Sequence, residues 1–364
     1  MSKVLGIGIC GCRNVRWAYA DVASPYSRLV AICDTHKPAI EAARREFPDI
    51  AAYTDYRVLV THPHVDVVVV NTPNWLHPEI TIAALEAGKD VFCEKPMALN
   101  REDCARMLAA ERASGRTLCI DFELRYSILS GRRLKELISS GEIGEVRHID
   151  FFHYRGAWLE EGNGIWRTRP ELSGGLYPME PCHEVDLFRY LVGEISAVQS
   201  FSAPNVLPHY RIPDNVCTHF FFENGAMGQI TTAHTRSAHI VEGDHWEDLG
   251  HEMVLSIVGT QGSLRVDLWK NRLTVFRFAE YPLGSGGVRC EFVRNEDYTG
   301  VPSHLLHHDM SGFRRDFFRR LATGQPPMIT ALDSWRTHAV CFAAEQSALA
   351  GFRKIEVDYD LPQV

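Results

Sequence analysis

Over its first 123 residues the chain alternates short apolar runs with longer helix-like stretches. The apolar runs are bounded by glycine, proline or polar residues, which is typical of buried parallel strands. Predicted strands cover residues 3–12, 28–33, 65–71, 90–93 and 117–122, and predicted helices cover residues 14–24, 38–47, 79–87 and 100–114. This alternation predicts an α/β unit built on a Rossmann-type, doubly wound parallel sheet.

After about residue 123 the pattern changes to longer segments in which apolar and polar positions alternate. Turn sequences such as Glu223-Asn224-Gly225 separate these segments and favour antiparallel pairing. Predicted strands cover residues 146–154, 196–203, 216–222, 227–235, 252–258, 263–267 and 272–278, with helices at 127–140, 181–192, 308–322 and 333–350.

The length and this change of pattern predict two domains. The first, residues 1–123, is expected to be a Rossmann-type domain, and the second, residues 124–364, an α+β domain. The second domain is expected to contain a large, mainly antiparallel sheet covered by helices on one face. Because ligands of open α/β sheets bind beyond the carboxyl ends of the strands, we expect the site in a cleft between the domains.

Composition and charge exclude several classes of protein. Lys+Arg 38 against Asp+Glu 46 gives a net charge of −8, so the surface repels phosphate backbones and no nucleic-acid partner is expected. The most apolar run, Val65–Val70, is too short to span a membrane, and no signal peptide is evident. Ten cysteines without paired CxxC spacing indicate reduced thiols and a cytoplasmic protein.

The first strand leads into a glycine-rich turn. Gly6, Gly8 and Gly11 match the string G-x-G-x-x-G, but Gly6 and Gly8 fall inside the predicted strand, so we expect the turn to begin at Gly11. Arg13 and Arg16 then occupy the positions of the second and third glycines. Arg13 either clamps a phosphate or crowds it.

Asp34 closes the second predicted strand, just over twenty residues after Gly11. An acid at this position can accept hydrogen bonds from an adenosine ribose and would repel a 2′-phosphate. The alternative is that Asp34 only caps the next helix. Its position and spacing together favour the cofactor role, and NAD over NADP.

Two further motifs make the chain similar to a known family. They are Asn71-Thr72-Pro73-Asn74-Trp75-Leu76-His77 and Gly88-Lys89-Asp90-Val91-Phe92-Cys93-Glu94-Lys95-Pro96. TPN-x-x-H followed by GK-x-V-x-x-EKP resembles the signature of the Gfo/Idh/MocA oxidoreductases, which include glucose–fructose oxidoreductase and inositol dehydrogenases. The resemblance continues through Arg125-Tyr126, Ser140–Gly144, Trp166-Arg167, Ser173–Gly175, His183–Asp186, Gly259–Ser263 and Gly324–Pro327.

The resemblance implies that residues 1–123 form an NAD(P)-binding Rossmann domain and that residues 124–364 form an α+β domain for substrate binding and oligomerisation. It also implies the roles of the site residues. Lys95 contacts the reacting hydroxyl beside the nicotinamide, His183 helps to take its proton, and a cis bond precedes Pro96. The implied cofactor contacts are Gly11, Cys12, Arg13, Asn14, Val15, Asp34, Asn71, Thr72, Pro73, Asn74, His77, Glu94 and Lys95. The implied substrate contacts are Lys95, Arg125, Trp166, Arg167, Glu180 and His183.

Met179 departs from the family pattern. Many members carry an aspartate four residues before the histidine, where it cooperates with the imidazole, and this chain has Met179 there. A thioether cannot accept a proton, so this partner of His183 is missing. Either Glu180 or Glu184 substitutes for it, or His183 acts alone.

Residues 234–252 are dense in histidine and carboxylate side chains, which suit divalent metal ions. Their spacing matches no fixed metal-binding motif, so a solvated loop is the favoured interpretation and we assign no metal. Trp158 and Trp166 either stack on a sugar face or fill a domain interface.

The sequence as a whole predicts an NAD-dependent oxidoreductase that acts on a secondary alcohol or ketone of a sugar, cyclitol or sugar derivative. One alternative is a lyase or glycosidase that uses retained NAD for a transient oxidation. Another is a non-catalytic regulator that senses a sugar or NAD on the same fold. The expected partner is a small sugar or polyol, and the family implies a homodimer or homotetramer.

Overall fold

The computed structural model describes residues 3–12, 23–157, 165–234, 252–268, 271–280 and 288–363. The first half of the chain contains a six-stranded sheet. Its strands are β1 (Leu5–Cys10), β2 (Ser27–Cys33), β3 (Ala51–Tyr53), β4 (Val67–Val70), β5 (Asp90–Cys93) and β6 (Leu118–Ile120). All pairings are parallel, in the order β3-β2-β1-β4-β5-β6. The predicted doubly wound sheet is confirmed, and its order reverses between β1 and β4, where such sheets bind ligands.

Helices connect the strands of this sheet. Those described are α1 (Lys37–Glu46), α2 (Tyr56–Val60), α3 (His77–Glu86) and α4 (Arg101–Ser114). In α4 the Asn100 side chain accepts a hydrogen bond from Asp103 N at 2.8 Å, and Gly115 ends the helix with a φ of 64°. The helix predicted over residues 14–24 falls mainly on residues outside the described ranges.

A nine-stranded sheet forms most of the second half. Its strands are β7 (Val146–Tyr154), β8 (Ile195–Ser202), β9 (Asn215–Phe222), β10 (Met227–Ala233), β11 (Glu252–Gly259), β12 (Gly262–Asp267), β13 (Arg272–Glu280), β14 (Val288–Asp297) and β15 (Ile355–Glu356). The order is β14-β13-β12-β11-β7-β10-β9-β8-β15, and all pairs are antiparallel except β7 with β10. The mainly antiparallel sheet is therefore confirmed.

The helices of the second half differ more from the predicted helices than those of the first half do. They are α5 (Leu134–Ser139), α6 (Pro170–Ser173), α7 (Leu176–Met179), α8 (Cys182–Leu191), α9 (Ser303–His307), α10 (Met310–Ala322) and α11 (Ala331–Leu349). The helix predicted over 127–140 is wrong in detail, because a π-helical segment (Ile128–Arg133) precedes α5. The pattern also missed β14, since most of its described side chains are exposed or half-exposed and leave no apolar alternation. No helix in the described part of the chain is both long and apolar enough to cross a membrane.

Helices of the second half pack directly against the first sheet. The Phe92 ring of β5 lies 5.7 Å from that of Phe313 and 5.3 Å from that of Phe317, both on α10. His338 of α11 accepts a hydrogen bond from Met97 N at 2.8 Å. These contacts hold the elements of the two halves together around the carboxyl ends of the parallel strands. The division at residue 123 stays a prediction.

Candidate active site

The turn after β1 begins at Gly11, as the sequence predicts. Gly6 and Gly8 lie inside the strand, whereas Gly11 has a φ of 93° and approaches the backbone of Asn71 closely. Cys12 N donates a hydrogen bond to Asp34 Oδ2 at 2.6 Å, which ties this turn to the end of β2. The other predicted contacts of this turn, Arg13, Asn14 and Val15, lie outside the described residues.

Replacing Gly11 with alanine is expected to destabilise the protein through both conformation and contact. A left-handed backbone costs roughly 1–2 kcal/mol for an L-residue. The added Cβ would lie 2.5 Å from Asn71 O, and such overpacking costs about 1–3 kcal/mol more. Gly141→Ala is the matched control, because Gly141 also has a positive φ, 77°, but an added Cβ there meets nothing within 4 Å. Urea unfolding should give the larger loss for Gly11→Ala, and equal losses would contradict the close approach.

Asp34 lies at the end of β2 with both carboxylate oxygens in use. Oδ2 accepts from Cys12 N, and Oδ1 accepts from His36 N at 2.8 Å just before α1. His36, the N-cap residue of α1, makes no side-chain capping hydrogen bond, so the bond from His36 N to Asp34 closes a turn before the helix and does not cap it. The half-exposed carboxylate keeps further lone pairs that a ribose hydroxyl can reach.

The two residues that follow β4 carry buried polar side-chain atoms. Among the described residues, the buried amide nitrogen and oxygen of Asn71 and the buried hydroxyl of Thr72 have no hydrogen-bond partner. Buried polar groups are nearly always paired, so such atoms at the switch point of the sheet indicate a bound molecule. With Gly11 and Asp34 beside them, these groups fit a dinucleotide. Pro73 precedes a short 3-10 turn (Asn74–Leu76), and Asn74 Nδ2 donates to Ser173 O at 3.4 Å.

His77 joins the turn after β4 to the turn after β5. Its buried ring nitrogens lie 2.7 Å from Pro96 O and 2.9 Å from Thr72 O, and burial lowers the pKa of the ring. The bond between Lys95 and Pro96 is cis, as the resemblance implies. The described role of His77 is thus to fix both turns, and a direct cofactor contact stays a prediction.

Lys95 directs its ammonium group towards the second half of the chain. Nζ donates a hydrogen bond to Met179 O at 2.6 Å. Burial alone would lower the pKa of Lys95, but Cys182, Glu180 and Glu94 outweigh burial and raise the pKa above its usual value. Lys95 is therefore a half-buried cation, and it lies against the segment that leads into His183.

His183 lies in the first turn of α8, and its side chain is only 12% exposed. Its Nδ1 is 3.2 Å from Glu123 Oε2, and its ring meets those of Phe122 and His308 edge-on, with centroids 6.0 Å away in each case. Burial is the main cause that lowers the pKa of His183 to about 4, and Lys95 acts in the same direction. The imidazole is therefore neutral at physiological pH and able to accept a proton.

The two acids that the sequence offered in place of the missing aspartate pair with other groups. Glu180 forms an ion pair with Arg155, and Glu184 Oε1 lies 3.0 Å from His153 Nδ1. Burial would raise the pKa of Glu180, but Arg155 and then Lys95 hold it well below its usual value. Glu180 is thus an ionised neighbour of Lys95 rather than the partner of His183.

Trp166 and Arg167 lie on a 3-10 turn (Ile165–Thr168) near the Rossmann half. The Trp166 ring meets Trp75 edge-on with centroids 5.7 Å apart, and the Arg167 guanidinium stacks 4.5 Å from the Trp166 centroid. Burial lowers the pKa of Arg167, although Glu180 opposes this effect. These contacts fill an interface between the halves, and Trp158 lies outside the described residues.

Arg125 occupies a buried ion-pair network. Nε and Nη2 donate to the two oxygens of Asp186 at 2.5 and 2.6 Å, and Nη1 lies 2.6 Å from Asp333 Oδ2. Carboxylate oxygens thus pair with all three guanidinium nitrogens of Arg125, and the planar guanidinium binds Asp186 in bidentate fashion. The structure gives Arg125 a structural role in place of the substrate contact expected from the sequence.

The sequence did not single out Glu123, which belongs to this site. Glu123 Oε1 accepts a hydrogen bond from His308 Nδ1 at 2.7 Å, while its Oε2 faces His183. One signal was available, since Glu123 closely follows β6 at the carboxyl edge of the parallel sheet, where ligands bind. In the described ranges no three His, Cys, Asp or Glu side chains are placed to hold a metal ion, and nearly all of 234–252 lies outside those ranges.

The chain matches two family models along most of its length. Residues 3–122 match the "Oxidoreductase family, NAD-binding Rossmann fold" model, and residues 132–265 match the "GFO/IDH/MocA C-terminal domain" model. Levoglucosan dehydrogenase of Pseudarthrobacter phenanthrenivorans is 30% identical over 378 residues, which cover 94% of this chain and 91% of the relative. Inositol 2-dehydrogenase of Salmonella typhimurium is 32% identical over 193 residues, 52% of this chain and about half, 54%, of that enzyme.

A solved structure gives the same fold. Levoglucosan dehydrogenase in complex with NADH and levoglucosan superposes with a TM-score of 0.79 over 98% of this chain and 100% of that one, at 24% identity. The EKP and TPN motifs, the two sheets and the family models agree. The chain belongs to the Gfo/Idh/MocA oxidoreductases, a family whose first domain is an NAD-binding Rossmann fold.

Proposed function

We propose that this protein transfers a hydride between NAD and a secondary alcohol or ketone of a sugar, cyclitol or sugar derivative. The observation that carries the proposal is the 2.6 Å contact of Lys95 Nζ with Met179 O, which brings a half-buried cation to the segment before His183. Relatives that act on inositol and levoglucosan support the substrate class.

NAD would lie over the carboxyl edge of the parallel sheet. Gly11, Asp34, Asn71 and Thr72 would hold it, with Asn71 and Thr72 gaining hydrogen bonds for polar atoms that are buried without a described partner. When bound, NAD supplies the acceptor of the hydride. Asp34 places negative charge near the ribose, which disfavours a 2′-phosphate.

The chemistry of the substrate oxygen would fall to Lys95 and His183. The Lys95 ammonium holds the hydroxyl and stabilises the negative charge that develops on its oxygen during oxidation. The neutral His183 takes the hydroxyl proton. Glu180 and Arg167 line the same region with charge, and the Trp166 ring offers an apolar surface of the kind that packs on a sugar face.

The expected homodimer or homotetramer in the cytoplasm belongs to this proposal. Its support is the face of the nine-stranded sheet that alternation leaves half-exposed, where Phe152 stacks on Tyr154 and Phe221 is partly exposed. The absence of any disulfide among the described residues agrees with a reducing compartment.

NADH is expected to bind more tightly than NADPH by about tenfold or more, or ~1.4 kcal/mol, because Asp34 would repel the extra phosphate. Titration of nicotinamide fluorescence measures both affinities, and Asp34→Asn should reduce the preference, although its single amide oxygen can accept from only one of Cys12 N and His36 N. A preference for NADPH would contradict the role of Asp34 and direct attention to Arg13 or Arg16.

Turnover of myo-inositol and levoglucosan with NAD⁺ tests the proposal itself. Accumulation of NADH together with a ketone supports it. Turnover without net NADH would instead select a lyase or glycosidase with retained NAD. Binding of neither nicotinamide, after bound cofactor is removed, would favour a non-catalytic regulator.

A further inference from the structure

His183 lacks the acid that its own helix segment would be expected to provide. Met179 stands four residues before it, and the Met179 sulfur accepts a contact from Asn74 Nδ2 at 3.3 Å. The backbone oxygen of Met179 is bonded to Lys95. No group of Met179 can therefore act as a carboxylate beside the imidazole.

A carboxylate reaches His183 from another element. We propose that Glu123, on the 3-10 turn after β6, is the positioning residue for His183 and takes the place of the missing aspartate. The inference rests on the proposed function, in which His183 takes the substrate proton. Its basis is the 3.2 Å separation of Glu123 Oε2 from His183 Nδ1, with the Glu123 side chain only 1% exposed.

The turn and the helix are clamped so that these two side chains face each other. Arg125 lies two residues after Glu123, and Asp186 lies three residues after His183. The bidentate pair between Arg125 and Asp186, at 2.5 and 2.6 Å, joins the two backbones beside the site. His308 fixes the other oxygen of Glu123 at 2.7 Å.

The charged groups around Glu123 keep it ionised. Burial would raise the pKa of Glu123, but His183 and His308 outweigh burial and lower it to about 2. At physiological pH His183 is neutral, so of these two residues it is His308, through its hydrogen bond, that acts on the anion. The other charged or titratable groups that act on Glu123, His183 and His308 are Lys95, Glu94, Asp121 and Glu184. Arg314 lies 3.7 Å from Glu94 and 3.5 Å from Asp121. Burial raises the pKa of Asp121 and of Glu94, whereas the pKa of Glu123 is lowered, so Glu123 rather than either of these two acids is held as an anion.

An anion at Nδ1 favours the tautomer with its proton on that nitrogen and leaves Nε2 free to accept one. In the oxidation, the carbinol C–H bond breaks with its electron pair going to the nicotinamide, and the hydroxyl proton goes to His183 Nε2. The C–O bond becomes a carbonyl, and Glu123 stabilises the imidazolium. In the reduction, the same proton returns to the oxygen.

Glu123→Gln in the full chain tests this role. With NAD⁺ and myo-inositol or levoglucosan as probes, kcat should fall by about tenfold to 10²-fold, while NADH binding is unchanged. Glu123→Asp should recover part of the loss. The control is Glu111→Gln on α4, where Glu111 only accepts a hydrogen bond from Leu118 N at 3.0 Å, and it should keep the wild-type kcat.

A second readout does not depend on turnover. In ¹⁵N spectra of the histidines, His183 Nε2 should be unprotonated in the wild type and partly protonated in Glu123→Gln. The pKa of His308, which Glu123 raises against the effect of burial, should fall in the variant. A purely structural role would leave the His183 tautomer unchanged.

The outcomes separate this inference from the proposed function. If the wild type turns over the probes and Glu123→Gln has the same kcat and the same His183 tautomer as the wild type, the role of Glu123 is overturned and the proposed function stands. If the wild type does not oxidise the probes, the proposed function fails for them, and the tautomer comparison still decides on Glu123. If Glu123→Gln does not fold, the spectrum of the wild type decides, because a wild-type His183 that carries its proton on Nε2 would overturn the role.

Discussion

Lys95→Ala is expected to lower kcat/KM by about 10³-fold while NADH still binds. Removing one group that stabilises a developing oxyanion typically costs about 10²- to 10³-fold in rate, and Lys95 would also hold the substrate. Its half-buried ammonium donates a hydrogen bond to Met179 O at 2.6 Å, and alanine supplies no charge in its place. Steady-state NADH formation and nicotinamide fluorescence measure the two effects separately.

Lys354→Ala is the control for this variant, because Lys354 is half-exposed and lies 3.7 Å from Glu356 at the far end of the chain. It should retain wild-type kcat/KM. A Lys95→Ala protein that is folded, binds NADH and turns over like the wild type would remove Lys95 from the reaction. Loss of NADH binding alone would make Lys95 a cofactor contact only.

His183→Asn is expected to lower kcat by about 10²- to 10³-fold at neutral pH, because a general base contributes about 10²- to 10⁴-fold. The asparagine cannot take the proton, so hydroxide must do so, and the rate of the variant should rise with pH. The wild type should hold a plateau at neutral pH, because burial lowers the pKa of His183 to about 4 and leaves the base neutral. The measurement is a pH profile of kcat for both proteins.

The matched control is His64→Asn, since His64 is an exposed histidine that meets only the His62 ring edge-on among its aromatic neighbours. Its profile should match that of the wild type. A His183→Asn enzyme with an unchanged plateau would show that another group accepts the proton, and His308 would be the next candidate.

The sequence predicted the fold well because both sheets bury regular patterns. β4 is entirely buried, which gives the continuous apolar run of a parallel strand. β9 alternates buried and half-buried positions, which gives the alternating pattern of an antiparallel strand. β14 shows no such pattern because its described side chains are largely accessible on both faces of an edge strand. Lys95 was found from its motif, since the EKP string places it at the end of a strand.

Long-range contacts could not be predicted in the same way. Glu123 and His183 are brought together by the packing of the 3-10 turn after β6 (Glu123–Arg125) against α8, and no spacing in the sequence links them. Arg125 illustrates the converse error, because its motif suggested a substrate contact whereas Asp186 and Asp333 enclose it. In both cases the partner, rather than the residue itself, decides the role.

Hydride transfer itself can be followed with a deuterium label. The wild-type enzyme is incubated with NAD⁺ and myo-inositol or levoglucosan deuterated at the carbinol carbons, and the nicotinamide and the product are analysed by mass spectrometry. The account predicts one deuterium in each NADH, one ketone for each NADH, and a slower rate than with the unlabelled alcohol. Product formed by loss of water, or by any route that leaves the nicotinamide without net deuterium, would contradict it.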